Sequence, residues 1–281
     1  MEYYISVITV MAISVIFALS LNLITGFCGQ ISLGHAAFYG TGAYCAAMVT
    51  KAGGPFVMAL LLAMVFAAVL GLIVGLASLR VKHDFLAITT MGVGFLFLGI
   101  VRKQDFLGGE LGIAGIPATG LGKAGFMALA LVVAAGVVLL SVYIKRAWMG
   151  YVFDAIADDE DAARMVGIDV GRFKLTAFAL GTAIAGLAGA LYAHDVRFID
   201  PDSFGFVESI TVLAMVVVGG IGSVAGVVAA AAVLSVLPLW LQFIADYKLL
   251  MYGLLVFVVM RFSPGGLAGL FSSAWNRVKS Q

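Results

Sequence analysis

Two stretches of this chain combine polar residues at spacings that could do chemistry. In Gly29-Gln30-Ile31-Ser32-Leu33-Gly34-His35, an amide, a hydroxyl and an imidazole follow one another inside apolar sequence. These groups could hydrogen-bond a solute or hold a broken helix in shape. In Asp158-Asp159-Glu160-Asp161-Ala162-Ala163, closed by Gly167, an acidic run precedes small apolar residues. That pattern suits a short helix with Asp158 as its cap, acids near the positive end of the dipole, and a left-handed glycine stop. No Ser/His/Asp set, zinc-ligand spacing or carboxylate pair at helical spacing falls within an apolar stretch, which speaks against an intramembrane hydrolase. Cys28 and Cys45 are isolated thiols and read as small buried hydrophobes, not as a disulfide framework or a metal cluster.

The elements that position these residues are membrane helices. Of 281 residues, 63% are hydrophobic and 11% charged, whereas soluble domains carry about 25% charged residues. The formal net charge of +1 leaves no broad basic surface for nucleic acid. Thirty-five glycines beside five prolines fit helices that approach closely in a bilayer. A crossing helix takes about 20 mostly apolar residues. Residues 4–24, 32–49, 55–79, 85–101, 124–144, 175–193, 209–243 and 249–260 meet this in full or in part. The first stretch lacks a basic flank and a small-residue cleavage site, so it reads as a retained helix and not a signal peptide. The expected fold is all-α, a polytopic transmembrane bundle formed as one domain over residues 1–281. A cytoplasmic loop is expected at about 145–174 and a cytoplasmic tail at about 262–281.

Basic residues orient the bundle. One consistent topology places Arg80, Lys82, Lys145, Arg146, Arg164, Arg172, Lys174, Arg261, Arg277 and Lys279 inside. Lys51, Arg102, Lys103, Lys123, Arg197 and Lys248 then face outward, with Asp195, Asp200, Asp202 and Glu208 in the outward loop 194–208. Residues 209–243 must enter and return, as a half-helix followed by a span. The side of the first helix stays open, because 26–31 has no fixed surface. No Asp, Glu, Lys or Arg falls well inside a proposed span, and His35 is the lone ionisable residue there, thiols aside. That absence weighs against a proton-driven carrier, which needs groups to bind its coupling ion. A sodium-coupled carrier using backbone carbonyls stays open, but an energy source outside the membrane fits better.

Gly219-Gly220-Ile221-Gly222-Ser223 weakly echoes the first glycine-rich break. Paired breaks in two halves are the pattern of a transport site between repeats, so Gly29, Gln30, Ser32, His35, Gly220, Gly222 and Ser223 are candidates for a translocation path. Close helix packing through glycine is the other reading. His35 likewise has two readings: bonded to Gln30, Ser32 or a carbonyl to fix the break, or placed on the path. The helix expected within 158–167 has two as well. It is a docking knob for another protein, or a connector lying on the bilayer. In either case Ala162, Ala163 and Val166 should share one side.

Asp161-Ala162-Ala163 followed by Gly167 resembles the coupling loop of bacterial ABC importers. Further motifs resemble the branched-chain amino-acid permeases: Leu21-Asn22-Leu23, Gly29 to Phe38, Gly108 to Pro117, Ala185 to Tyr192, Met215 to Ser223 and Phe262 to Leu267. Gly29-Gln30-Ile31-Ser32-Leu33-Gly34-His35 is similar to the M type of these subunits. Asp161 stands where the family usually has Glu, and Tyr151, Asp154 and Ala157 stand where relatives often carry Arg, so the loop is more acidic than theirs. The resemblance implies a non-catalytic subunit in a bacterial inner membrane. It implies an H-type permease partner, two ATPase subunits carrying ATP-Mg, and an external binding protein. This chain would bind no cofactor itself. Asp158, Asp159, Glu160, Asp161, Ala162, Ala163 and Gly167 would couple to the ATPases. The implied solutes are leucine, isoleucine and valine, with urea or short amides as the alternative. A self-sufficient carrier or channel is the reading from another class.

Overall fold

The computed structural model describes residues 2–78, 83–240, 248–262, 265–267 and 269. Arg80, Lys82, Arg277, Lys279 and most of the expected tail lie outside the described residues. Helix α1 (Glu2–Leu21) runs on into a widened turn, Asn22–Phe27. Then come α2 (His35–Lys51), α3 (Phe56–Ser78), α4 (His83–Lys103) and α5 (Gly122–Arg146). Two short helices follow, α6 (Trp148–Asp158) and α7 (Glu160–Met165), and then the long α8 (Val170–Val196). The last helices among the described residues are α9 (Phe206–Gly219), α10 (Val224–Trp240) and α11 (Lys248–Phe262). The strand pairing is a two-residue antiparallel ladder, Ile113–Ala114 against Phe198–Ile199. The fold is the expected all-α polytopic bundle.

Among the described residues, six stretches are long and apolar enough to cross a membrane: Glu2–Phe27, Phe56–Ala77, Phe85–Lys103, Gly122–Arg146, Val170–Val196 and Pro201–Gly219. Val224–Pro238 and Leu250–Arg261 are shorter apolar helices. Helix α2 falls short of a crossing. Its 17 residues rise about 25 Å, against a hydrocarbon core of about 30 Å. It begins inside the bundle, where His35 meets Ser20 of α1. One expectation needs correcting. Glu208 does not belong to a surface loop but stands in the first turn of α9, inside the apolar stretch Pro201–Gly219.

Helix α8 forms the centre, packed against α1, α2 and α3. Small residues make this possible. The backbone of Gly42 lies directly on Gly186, and Gly189 lies on the Tyr39 carbonyl, with no room for a Cβ at either contact. The outer helices turn large apolar side chains outward, among them Leu61, Phe66, Leu96 and Leu139. Hydrocarbon is the solvent that suits such faces, since the backbone groups along the middle of a helix are bonded within it.

The charges separate to two ends. At one end Lys123 bonds Glu2 at 2.8 Å, Lys51 Nζ donates to the Ala114 carbonyl at 3.2 Å, and Arg102 pairs with Asp202. At the other end Lys145 pairs with Asp154 at 2.6 Å beside α7. Helix α1 therefore starts at the end of the bundle that carries Lys51, Arg102 and Lys123. Helix α10 runs antiparallel to α1: Gly222 bonds Asn22 near the end of α1, while Pro238 shares a cavity wall with Val10 near its start. The chain thus runs one way through α9 and back through α10; the stretch long enough to cross is the first, Pro201–Gly219, and the shorter one is the second, Val224–Pro238, the reverse of the expected half-helix followed by a span.

Candidate functional site

The acidic run forms its helix one residue later than expected. Asp158 is the last residue of α6, and Asp159 is the cap of α7. The Asp159 carboxylate accepts from the Asp161 amide at 2.9 Å and the Ala162 amide at 3.0 Å. Asp158 loses the role because α6 continues through it, which keeps its backbone helical, whereas Asp159 is extended. The stop is as expected. Gly167 has φ +87°, its amide bonds the Arg164 carbonyl at 3.0 Å, and the Ile168 amide bonds the Ala163 carbonyl at 3.1 Å. These are the two bonds of a Schellman closure.

The acids of this loop are largely occupied by its bases. Glu160 pairs with Lys174 of α8 and with Arg164, Asp161 pairs with Arg164 at 2.9 Å, and Asp169 pairs with Arg172 at 2.8 Å. The Glu160–Lys174 pair is largely buried and anchors α7 to α8. The apolar residues do not share one side as expected. Ala163 is buried against the bundle, while Ala162, Met165 and Val166 face outward. Met165 is 89% exposed and Val166 77%. The α7 helix, held by its cap and by the Glu160–Lys174 pair, thus carries an open aliphatic tip. Met165 was missed in the sequence because it falls between the motif residues.

The first glycine break sits on these loop helices. Gly29 adopts φ +70°, and a Cβ there would lie 3.1 Å from Ala157 Cα of α6. Gln30 is buried. Its Nε2 donates to the Lys174 carbonyl at 3.2 Å, and its own carbonyl accepts from Thr25 Oγ1 at 2.9 Å. Lys145 Nζ stands 5.1 Å from the centre of the Phe27 ring. Ser32 is fully buried and its hydroxyl has no partner among the described residues.

His35 opens α2 and is fully buried. Its Nε2 lies 2.7 Å from Ser20 Oγ, and its ring stacks on Phe17 at 5.4 Å. The partner expected in Gln30, Ser32 or a carbonyl is thus Ser20 instead, because the break folds α2 back alongside α1. Neighbouring helices satisfy free amides near the start of α2: Thr90 Oγ1 accepts from the Leu33 amide and Ser209 Oγ from the Ala36 amide, each at 3.0 Å.

The second break meets the first. Gly220 and Gly222 have φ +104° and +80°, and the Gly222 amide donates to Asn22 Oδ1 at 3.0 Å. Gly26 leaves no space for a Cβ between Asn22 and Gly222. Ser223 caps α10, its Oγ accepting from the Gly226 amide at 3.2 Å. Two segments some 200 residues apart in sequence are therefore in backbone contact. Asn22, Thr90 and Ser209 were overlooked, although each is a polar residue inside an apolar helix and could have been singled out on that ground. Among the described residues, no group of His, Cys, Asp and Glu could hold a metal ion.

Comparison with known proteins identifies the family. Residues 3–260 match the family described as branched-chain amino acid transport system / permease component. The chain is 33% identical to the high-affinity branched-chain amino acid transport system permease protein LivM of Escherichia coli (strain K12), over 94% of this chain and 69% of that protein. It is 26% identical to a probable branched-chain amino acid transport permease protein LivM of Methanocaldococcus jannaschii, over 74% of this chain and 68% of that protein. The LivH permease protein of Escherichia coli (strain K12) is 29% identical over 46% of this chain and 42% of its own length. No solved structure matches the chain. With nearly its whole length matched, this multi-pass membrane protein belongs to the branched-chain amino acid transport system permease family.

Proposed function

We propose that the chain is the M-type, non-catalytic permease subunit of an ATP-driven importer for leucine, isoleucine, valine or a close analogue. It would sit in a bacterial inner membrane, paired with an H-type permease subunit. Two ATPase subunits would carry ATP-Mg, and an external binding protein would deliver solute. The observation that carries the reading is the capped, anchored α7 with its open Met165–Val166 tip, joined by α6 and α8 to the first glycine break. ATPase closure would push on that tip. The push would reach the break through Ala157 and Lys174, and the contact between the two breaks would open or close with it.

Replacing both tip residues, as Met165→Glu with Val166→Asp, leaves every bond of the helix in place and changes only the surface. The pair should reduce leucine uptake by the reconstituted transporter by at least about tenfold, a loss of about 1.4 kcal/mol in docking. Membrane insertion should be unaltered. Full uptake by the pair, or concentrative uptake by this chain alone in vesicles, would defeat the proposal. If uptake instead favours urea or short amides, the solute assignment changes and the coupling does not.

A further inference from the structure

A cavity of about 400 Å³ opens at the end of the bundle that carries Lys123 and Glu2. It lies between the start of α1, the 118–120 segment, the start of α5 and the end of α8. Its α1 wall reaches Thr9, about 20 Å along the helix from Asn22, so it is separate from the place where the two breaks meet. Its size falls within the range of about 300–1,000 Å³ typical of small-molecule sites.

The end of α8 supplies acceptors. His194 is 4% exposed and lines the cavity together with Phe126. Its Nδ1 lies 2.8 Å from the Ala190 carbonyl, one turn back. A carbonyl can only accept, so Nδ1 carries the proton, and Nε2 of the neutral ring offers a lone pair. Nε2 is buried and has no partner among the described residues. A buried polar atom is normally satisfied by something. Asp195, the next residue, adds a carboxylate to the same wall.

The cations of the cavity are Lys123 and Arg197. Lys123 is already held by Glu2 at 2.8 Å, which leaves Arg197 as the fork for an anion. The backbone sets Arg197 in place. It has φ +60°, its amide bonds the Ala193 carbonyl at 2.9 Å, and its carbonyl accepts from the Ile116 amide at 3.4 Å. Acceptors and fork are thus brought together by main-chain geometry, within four residues of one another at the end of one helix.

We propose that this cavity binds a small solute carrying an ammonium and a carboxylate together, as a free amino acid does. The ammonium donates to His194 Nε2 and Asp195, the carboxylate accepts from Arg197, and the side chain rests on Ile5 and Phe126. The pair of charges follows from the cavity alone, whereas an aliphatic side chain rests on the import reading.

Occupancy can be read without transport. In a Cys45→Ala background, Ala118→Cys places a thiol on the cavity wall, in the complete transporter held in nanodiscs without the external binding protein. L-leucine should slow its labelling by a polar thiol reagent about tenfold. Isovalerate, which lacks the ammonium, and isoamylamine, which lacks the carboxylate, should slow it less than about twofold. Asp195→Asn and Arg197→Gln should each abolish the protection. His194→Phe, which keeps the bulk of the ring, should weaken it about threefold to tenfold. Protection that survives all three substitutions, or that both analogues match, would overturn the assignment of the two charges. Labelling that ignores L-leucine, in a transporter that still imports leucine, would overturn the site and leave the import reading standing. Labelling slowed by L-leucine in a transporter that imports none would support the site and overturn the import reading.

Discussion

Asn22→Ala tests the contact between the two breaks. Asn22 is fully buried, and its Oδ1 accepts the Gly222 amide at 3.0 Å. Truncation leaves that amide without its partner, at a cost of about 1–3 kcal/mol. It also removes Asn22 Nδ2, which is itself buried without a partner among the described residues, and this offsets about 1 kcal/mol. The net loss is about 0–2 kcal/mol, a factor of up to roughly thirty in the ratio of closed to opened contact. Gly26→Ala is the harsher change, because its Cβ would lie 2.7 Å from the Gly222 nitrogen and still closer to the Asn22 side chain. The measurement is leucine uptake per ATP hydrolysed by the reconstituted transporter, with thermal unfolding of the purified chain beside it. Asn22→Ala should lower the coupling ratio severalfold with a modest loss of stability, and Gly26→Ala should lose most of both. If Asn22→Ala matches wild type in coupling and stability, the bond does not hold the breaks together. If Gly26→Ala is tolerated as well, the two segments are not in contact.

Two further perturbations separate local roles. Asp159→Ala removes the cap of α7 and should cost about 0.5–2 kcal/mol, seen as faster amide exchange at Asp161 and Ala162 with the membrane helices unchanged. Asp158→Ala should leave exchange there as it was. His35→Ala removes the contact with Ser20 and the stack on Phe17, and should cost about 2–4 kcal/mol through the cavity it leaves. If His35 only locks α2 to α1, the protein that survives should keep the wild-type KM for uptake, whereas a residue on the path would raise it.

The bundle was legible because its driving pattern is coarse. Long apolar stretches and the placement of Lys and Arg are enough to give spans, their ends and the return of the chain at 209–243. Gly167 was legible because a left-handed stop followed by an apolar residue has few alternatives. Precision failed where neighbouring residues compete for one role, as Asp158 and Asp159 do for the cap. The outcome there depends on where α6 ends, and that is set by burial of Phe153 and Ile156 under the bundle. Tertiary partners were not legible at all. Nothing local to His35 names Ser20, and nothing local to Gly222 names Asn22. Glu208 was assigned to a loop because short windows of sequence cannot reveal that α9 already begins at Phe206, anchored by Phe204, which is buried beside Tyr39 and Tyr44.

One residue joins the two halves of the proposed mechanism. Lys174 holds α7 through its side chain, by the pair with Glu160, and holds the first break through its backbone, by the bond from Gln30. A force on α7 therefore reaches Gln30 across one residue, with no flexible segment in between. From there the path runs through the widened turn to Asn22, then across the bond to Gly222 and into α9 and α10. The glycines matter on this path for closeness: Gly26 and Gly29 let backbone lie on backbone, where contacts are stiff and small displacements are not absorbed by side-chain rotation. A break built only for close packing would need no bonded link to the loop helices, and a loop built only to connect spans would need no capped helix with an aliphatic tip. Having both, tied through Lys174, is what favours mechanical coupling over simple packing.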